Sequence, residues 1–328
     1  MGSILTKRID GGAAWLGTDF ETDDSWIVHL TEADAEAIDA ALRAIRDRGL
    51  APPRFSAAEF PIGPLSARLA ALADELENGR GFFVLRGLPV GRYSEEEIDA
   101  IYFGLGLHLG TPVGQNPEGD LIGRVMAVGD PAKKETRVFQ TSLYLPYHTD
   151  PSDVVGLLCH RKAKRGGLSS LVSAASIHNA LLERHPEHLG LFYRAYPYAH
   201  MSLQGPLRTP LFHWHEGKLT CRYLRQYIEL GAEQMGQPLS AVEIEAFDLF
   251  DAIMAEPERR LDMMLEPGDM QFANNYMVLH SRTSFEDHEA PEMRRRLLRL
   301  WLKMPNARAQ GSEFPGRNGF PIPAERYA

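Results

Sequence analysis

"LYLPYHTDPSDVV", residues 143–155, sets a histidine, a threonine and an aspartate between an apolar run and a Pro-Ser turn, just ahead of a second apolar run. Side chains two apart on a strand point to the same face, so His148 and Asp150 at a strand end look the same way. A strand end borders loops, where such a pair can face a cavity. On that reading His148 and Asp150 are two ligands of a metal site. Alone, His-x-Asp is equally a hydrogen-bonded brace inside a core.

A third ligand must come from a distant strand. His280 in "NNYMVLHSRTSF" also ends an apolar strand-like run, 130 positions beyond Asp150. Two imidazoles and one carboxylate on one octahedral face leave positions open for reactants, the arrangement of non-haem Fe(II) oxygenases. The other paired histidines fit less well. His185-Pro186-Glu187 closes the helical segment "IHNALLERHPEHLG", where residues two apart diverge. His213-Trp214-His215 shares a strand face but has no carboxylate spaced like Asp150, so a surface hairpin or pocket wall is expected.

Moving toward the N-terminus, three capping boxes mark helix starts: Thr31 with Asp34, Ser94 with Glu97 and Ser240 with Glu243. "LSARLAALADELEN" predicts another helix that stops at Gly79, and "GFFVLRGLPV" a buried strand between glycines. Beyond residue 110, "DLIGRVMAV", "DVVGLLCH" and "LSSLVSA" read as short strands, with one helix over 175–188. A Pro-Gly-Asp turn at 267–269 divides the strand-like "LDMMLEPGDMQFANNYMVLHSRTSF", and "RRLLRLWLKM" closes the core. No repeat or linker breaks the chain. The expectation is one domain over 1–328, with a mostly helical part over 1–110 on a β-rich core over 110–305. A doubly wound α/β fold would need regular alternation of strands and helices.

Of 328 residues, 44% are hydrophobic and 24% charged, enough apolar surface for a sizeable core. The net charge of −9 argues against a nucleic-acid partner, which needs a basic footprint. No apolar run is long enough for a membrane span, and the expected partner is a small molecule, with self-association left open. The two cysteines, Cys159 and Cys221, lack metal-site spacing and predict a cytoplasmic chain without a disulfide framework.

"EMRRRLLRLWLKM" places Arg295, Leu297, Arg299 and Trp301 on one strand face. Buried guanidiniums need an anion as counterpart, whereas Arg294 and Arg296 suit a solvated edge. His148-x-Asp150, His280 and an arginine some 15 residues later, with "GRGFFVLRGLPV" and "AKRGGLSSLVS", resemble the taurine dioxygenase (TauD/TfdA-like) family over about residues 80–303.

The resemblance implies a mainly β fold with flanking α-helices: a double-stranded β-helix, or jelly roll, of the cupin-like kind, with a lid or insertion near 190–235. It implies His148, Asp150 and His280 as ligands and catalytic centre for Fe(II), with 2-oxoglutarate and O2 as co-substrates. Arg295, Ser169 and Arg299 would hold 2-oxoglutarate, and Gln115, Asn116, Arg222 and Tyr223 would face the substrate. The implied reaction oxidises, above all hydroxylates, an unactivated C–H bond of a small polar metabolite as 2-oxoglutarate becomes succinate and CO2. Desaturation or cyclisation at the same centre, a metal-free jelly-roll binding protein and a zinc hydrolase are the rival readings.

Overall fold

Every predicted capping box forms. In the computed structural model, which describes residues 3–129, 140–199, 205–315 and 318–327, Thr31 opens helix α1 (Glu32–Asp47), Ser94 opens α3 (Glu95–Leu107) and Ser240 opens α7 (Ala241–Met254). In each, the cap hydroxyl accepts the N3 amide and the N3 carboxylate accepts the cap amide, so two orphan donors are met locally. Helix α2 (Leu65–Asn78) stops at Gly79.

Two sheets face one another. Among the described residues the larger runs Ile27–His29, Phe82–Arg86, Met270–Asn274, Val154–Arg161, Arg296–Lys303 and Thr111–Pro112, with Ile122–Val125 also on the Arg296–Lys303 strand. The smaller runs Leu261–Met263, Ser169–Ser173, Val278–Arg282 and Leu145–His148. Alternation sorts the side chains. Phe82, Val84, Val155, Ala273, Leu297 and Trp301 point inward to meet Leu171, Met263 and Val278, while Phe83, Leu85, Phe272, Leu298 and Leu300 point outward under α1–α3. Val172 and Leu279 of the smaller sheet lie under the later helices. This is a jelly-roll core with helices on both outer faces, as expected.

Three details depart from the sequence reading. The helix expected over 175–188 is two helices, α4 (Ala174–Arg184) and α5 (Pro186–Phe192), because Pro186 has no amide proton for α4 and opens α5 instead. The run after the Pro-Gly-Asp turn is also split. Asn274 Oδ1 accepts the Tyr276 amide at 2.9 Å, turning the chain out of the larger sheet and into the Val278–Arg282 strand of the smaller one. The 193–228 insertion, whose residues 200–204 lie outside the described residues, holds two hairpins and enters α6 (Arg225–Gln234). Among the described residues no helix is long and apolar enough to cross a membrane.

Candidate active site

His148 ends the Leu145–His148 strand, and His280 lies opposite it in register on the neighbouring Val278–Arg282 strand. Both therefore point into the barrel, their rings 4.2 Å apart. Asp150 stands two residues beyond His148. The Nε2 of His148 lies 3.9 Å from Asp150 Oδ1, and the Nε2 of His280 lies 3.8 Å from Oδ2. All three side chains are at most 9% exposed. Both gaps exceed a hydrogen bond, so the cluster is not a His-Asp brace. One ligand atom from each residue falls within 4.8 Å of the others, a spacing that could hold a metal ion.

The electrostatics favour a ligand set that is ready without deprotonation. Burial, then the neighbouring His148, pushes the His280 imidazolium down to about 3, and burial also lowers His148. Burial alone would raise the Asp150 carboxyl, but the charge of Arg299, with the Trp301 hydrogen bond, pulls the other way and it is held at about 2. Neutral imidazoles beside an ionised carboxylate are the donor set a divalent iron takes. His148 Nδ1 lies 2.8 Å from the Pro146 carbonyl, which turns Nε2 toward the site.

Several braces escaped the sequence reading. Asn275 Oδ1 accepts the Asp150 amide at 3.0 Å, while its Nδ2 donates to the Ser152 carbonyl and hydroxyl. Trp301 Nε1 donates to Asp150 Oδ2 at 2.8 Å and fixes the rotation of the carboxylate. "ANNY" lies inside a run read as strand and Trp301 in a segment read as closing the core, so only the tertiary fold reveals either role.

Arg299 follows from strand alternation. It points inward, 3.5 Å from Asp150 Oδ2 and over the Trp301 ring. Arg295, buried just before the strand, stacks on Phe285. Gly167 approaches Arg295 so closely that a Cβ there would lie 3.2 Å from its Nε, and both Gly166 and Gly167 hold left-handed backbone. That explains the Gly-Gly pair. Burial lowers Arg295 to about 10, and burial followed by Arg295 lowers Arg282 to about 10. Arg296 turns outward to pair with Glu95.

The expected substrate residues come out differently. Gln115 is buried and clamps Arg299, accepting its Nε–H at 2.8 Å and donating to its carbonyl and, at 2.8 Å, to that of Leu121. It positions an arginine, and its amide is fully engaged. Asn116 closes its own loop, exchanging bonds with the Asp120 amide and carboxylate. Arg222 donates to Thr209 Oγ1 and the Pro315 carbonyl and stacks on Phe314. Tyr223 sends its hydroxyl to Asp251 in the outer helical layer; its backbone exchanges bonds with Thr149, inside the His-Thr-Asp segment. The substrate expectation for these four side chains therefore gives way to bracing. His213 and His215 lie on a hairpin, stacked on each other at 5.5 Å, away from the cluster.

Comparison with known proteins points one way. The profile of the taurine catabolism dioxygenase TauD, TfdA family matches residues 46–301. FR-33289 synthase of Streptomyces rubellomurinus is 35% identical over 96% of this chain and 95% of its own. Taurine hydroxylase-like protein SAT17 of Stachybotrys chartarum is 30% identical over 90% of this chain and 80% of its own. Among solved structures, asparagine oxygenase with Fe(II), 3-hydroxyasparagine and succinate aligns at a TM-score of 0.67 and 20% identity, over 84% of this chain and 93% of that one. The non-haem iron oxygenase OrfP with iron and α-ketoglutaric acid aligns at 0.61 and 17%, over 84% and 94%.

Proposed function

The chain belongs to the TauD/TfdA family of iron- and 2-oxoglutarate-dependent dioxygenases, and from that premise we propose that His148, Asp150 and His280 hold its Fe(II), and that it hydroxylates a small polar metabolite. The observation that carries this reading is the convergence of two imidazole Nε2 atoms on the two oxygens of one carboxylate at 3.8 and 3.9 Å. Asparagine oxygenase and OrfP, whose structures contain hydroxylated amino acids and succinate, support the substrate class. The unit extends over residues 1–328, and two free, buried cysteines suit a cytoplasmic setting.

Bound iron, with 2-oxoglutarate and O2, supplies an oxidant strong enough to break an unactivated C–H bond while 2-oxoglutarate is converted to succinate and CO2. The chain's own residues prepare that event. His148 and His280 offer neutral lone pairs, and Trp301 holds one Asp150 oxygen so that the carboxylate does not swing. Arg295 receives the distal carboxylate of 2-oxoglutarate, because a buried guanidinium with a free Nη1 needs an anion. Arg299, clamped by Gln115, presents positive charge beside the metal end. A zinc hydrolase would leave these two guanidiniums without a role.

Anaerobic addition of Fe(II) and 2-oxoglutarate should give a weak visible charge-transfer band that His148→Ala and Asp150→Ala abolish. A screen of amino acids, amines and related acids for substrate-stimulated succinate then identifies the substrate. A wild-type protein that shows neither band nor succinate refutes the proposal.

A further inference from the structure

Three neighbouring side chains of the barrel interior carry donors that no acceptor meets: Gln271 Nε2, Arg282 Nε and Nη1, and Arg295 Nη1. All three residues are buried, Gln271 completely. They form one patch. Arg282 lies opposite Ser169 in the strand register, Ser169 Oγ donates to Gln271 Oε1 across the barrel at 2.6 Å, and Arg282 and Arg295 both lie against Phe285, at 4.7 and 5.0 Å.

Gln271 is the anomaly. Its strand neighbours at the same level are Val84 and Leu157, so an apolar residue would fit the inward face. A buried amide with one end unmet is costly, and its retention indicates a missing acceptor. Ser169 has a single hydroxyl proton. That proton is committed to Gln271, so Ser169 cannot donate it to a carboxylate at the same time.

We infer that Gln271, and not Ser169, delivers the neutral hydrogen bond to the distal carboxylate of 2-oxoglutarate, with Ser169 serving to orient the Gln271 amide. This rests on the reading of the Arg295 pocket as the 2-oxoglutarate site. Ser169 holds Oε1, which leaves Nε2 directed at the ligand, and the guanidiniums of Arg295 and Arg282 supply the charge. Gln271 is then a co-substrate binding residue, and Ser169 a positioning residue.

The test is anaerobic titration of Fe(II)-loaded protein with 2-oxoglutarate, read by the visible band and independently by calorimetry on Zn(II)-loaded protein. Gln271→Leu and the shape-preserving Gln271→Met should each bind 2-oxoglutarate about tenfold more weakly, the loss of one hydrogen bond to a charged group. Ser169→Ala should lose only about threefold, and adding it to Gln271→Met should cost nothing further. 2-Oxobutyrate, which lacks the distal carboxylate, should bind wild type and all variants alike. Unchanged 2-oxoglutarate binding in both Gln271 variants, a larger loss from Ser169→Ala, or equal losses for 2-oxobutyrate would each overturn the inference. A metal-loaded wild type that binds no 2-oxoglutarate overturns the pocket reading itself, and the inference with it.

Discussion

The metal end and the anion end of the barrel interior share strands yet are finished in opposite ways. At the metal end most groups are held: Asn275 takes the Asp150 amide, Trp301 takes one carboxylate oxygen, Pro146 orients His148, and Gln115 holds Arg299 by side chain and backbone, while His280 Nδ1 is left without a partner. At the anion end, Arg282, Arg295 and Gln271 keep donors with no acceptor. Outer partners thus fix the direction of two of the three proposed ligands, His148 and Asp150, before metal arrives. The other end stores unmet polarity that only a bound anion relieves. Two regions a few residues apart thus differ in how far their buried polar groups are met within the chain.

Four substitutions probe this contrast, from the largest expected effect to the smallest. His280→Ala removes a ligand and should weaken Fe(II) binding by more than about a hundredfold, beyond what an outer partner costs; anaerobic competition against a chelating indicator measures it. Asn275→Ala strands the Asp150 amide and removes the donor to the Ser152 carbonyl, while the Ser152 hydroxyl keeps its bond to the Val154 carbonyl, and should lower unfolding free energy by about 2–4 kcal/mol, read by denaturant titration. Trp301→Phe keeps an aromatic side chain, though a smaller one, and loses the hydrogen bond to Asp150. It should reduce Fe(II) affinity about tenfold and leave 2-oxoglutarate binding at saturating metal nearly unchanged. Arg282→Met has the opposite sign. By deleting a buried, incompletely partnered charge, it should stabilise the ligand-free protein by about 1 kcal/mol, seen as a raised melting temperature, while 2-oxoglutarate protects the variant less than wild type. If Arg282→Met destabilises the empty protein, the two ends do not differ in the way described.

What was legible in the sequence follows from the range of the interactions. Capping boxes are local, so Thr31, Ser94 and Ser240 could be assigned from residues three positions away. Strand alternation is local too, and it placed Arg299 and Trp301 on one inward face. His280 was legible as a candidate because an apolar run leads up to it, but the strand does not end there: His280 is the middle residue of Val278–Arg282, and the register with the neighbouring strand sets it opposite His148. The roles of Arg222, Tyr223 and Gln115 were not, because their partners, Pro315, Asp251 and Arg299, lie 93, 28 and 184 positions away. An arginine beside a tyrosine in a polar insertion has the composition of a substrate wall. Only the partners show that it is a fastening. Gln271 escaped notice for a related reason: within "DMQFANN" it is one polar residue in an apolar strand, and its meaning depends on Ser169 across the barrel.

Asn275 joins the Asp150 loop to the crossover between the sheets over a sequence separation of 125 residues. Contacts of that span form only after the intervening chain has paid its closure entropy, which makes them late events in assembly. A nascent or partly unfolded chain therefore presents the proposed ligands separately, His148 and Asp150 in one segment and His280 in another. The proposed metal site is therefore complete only in the finished barrel, where the two segments meet.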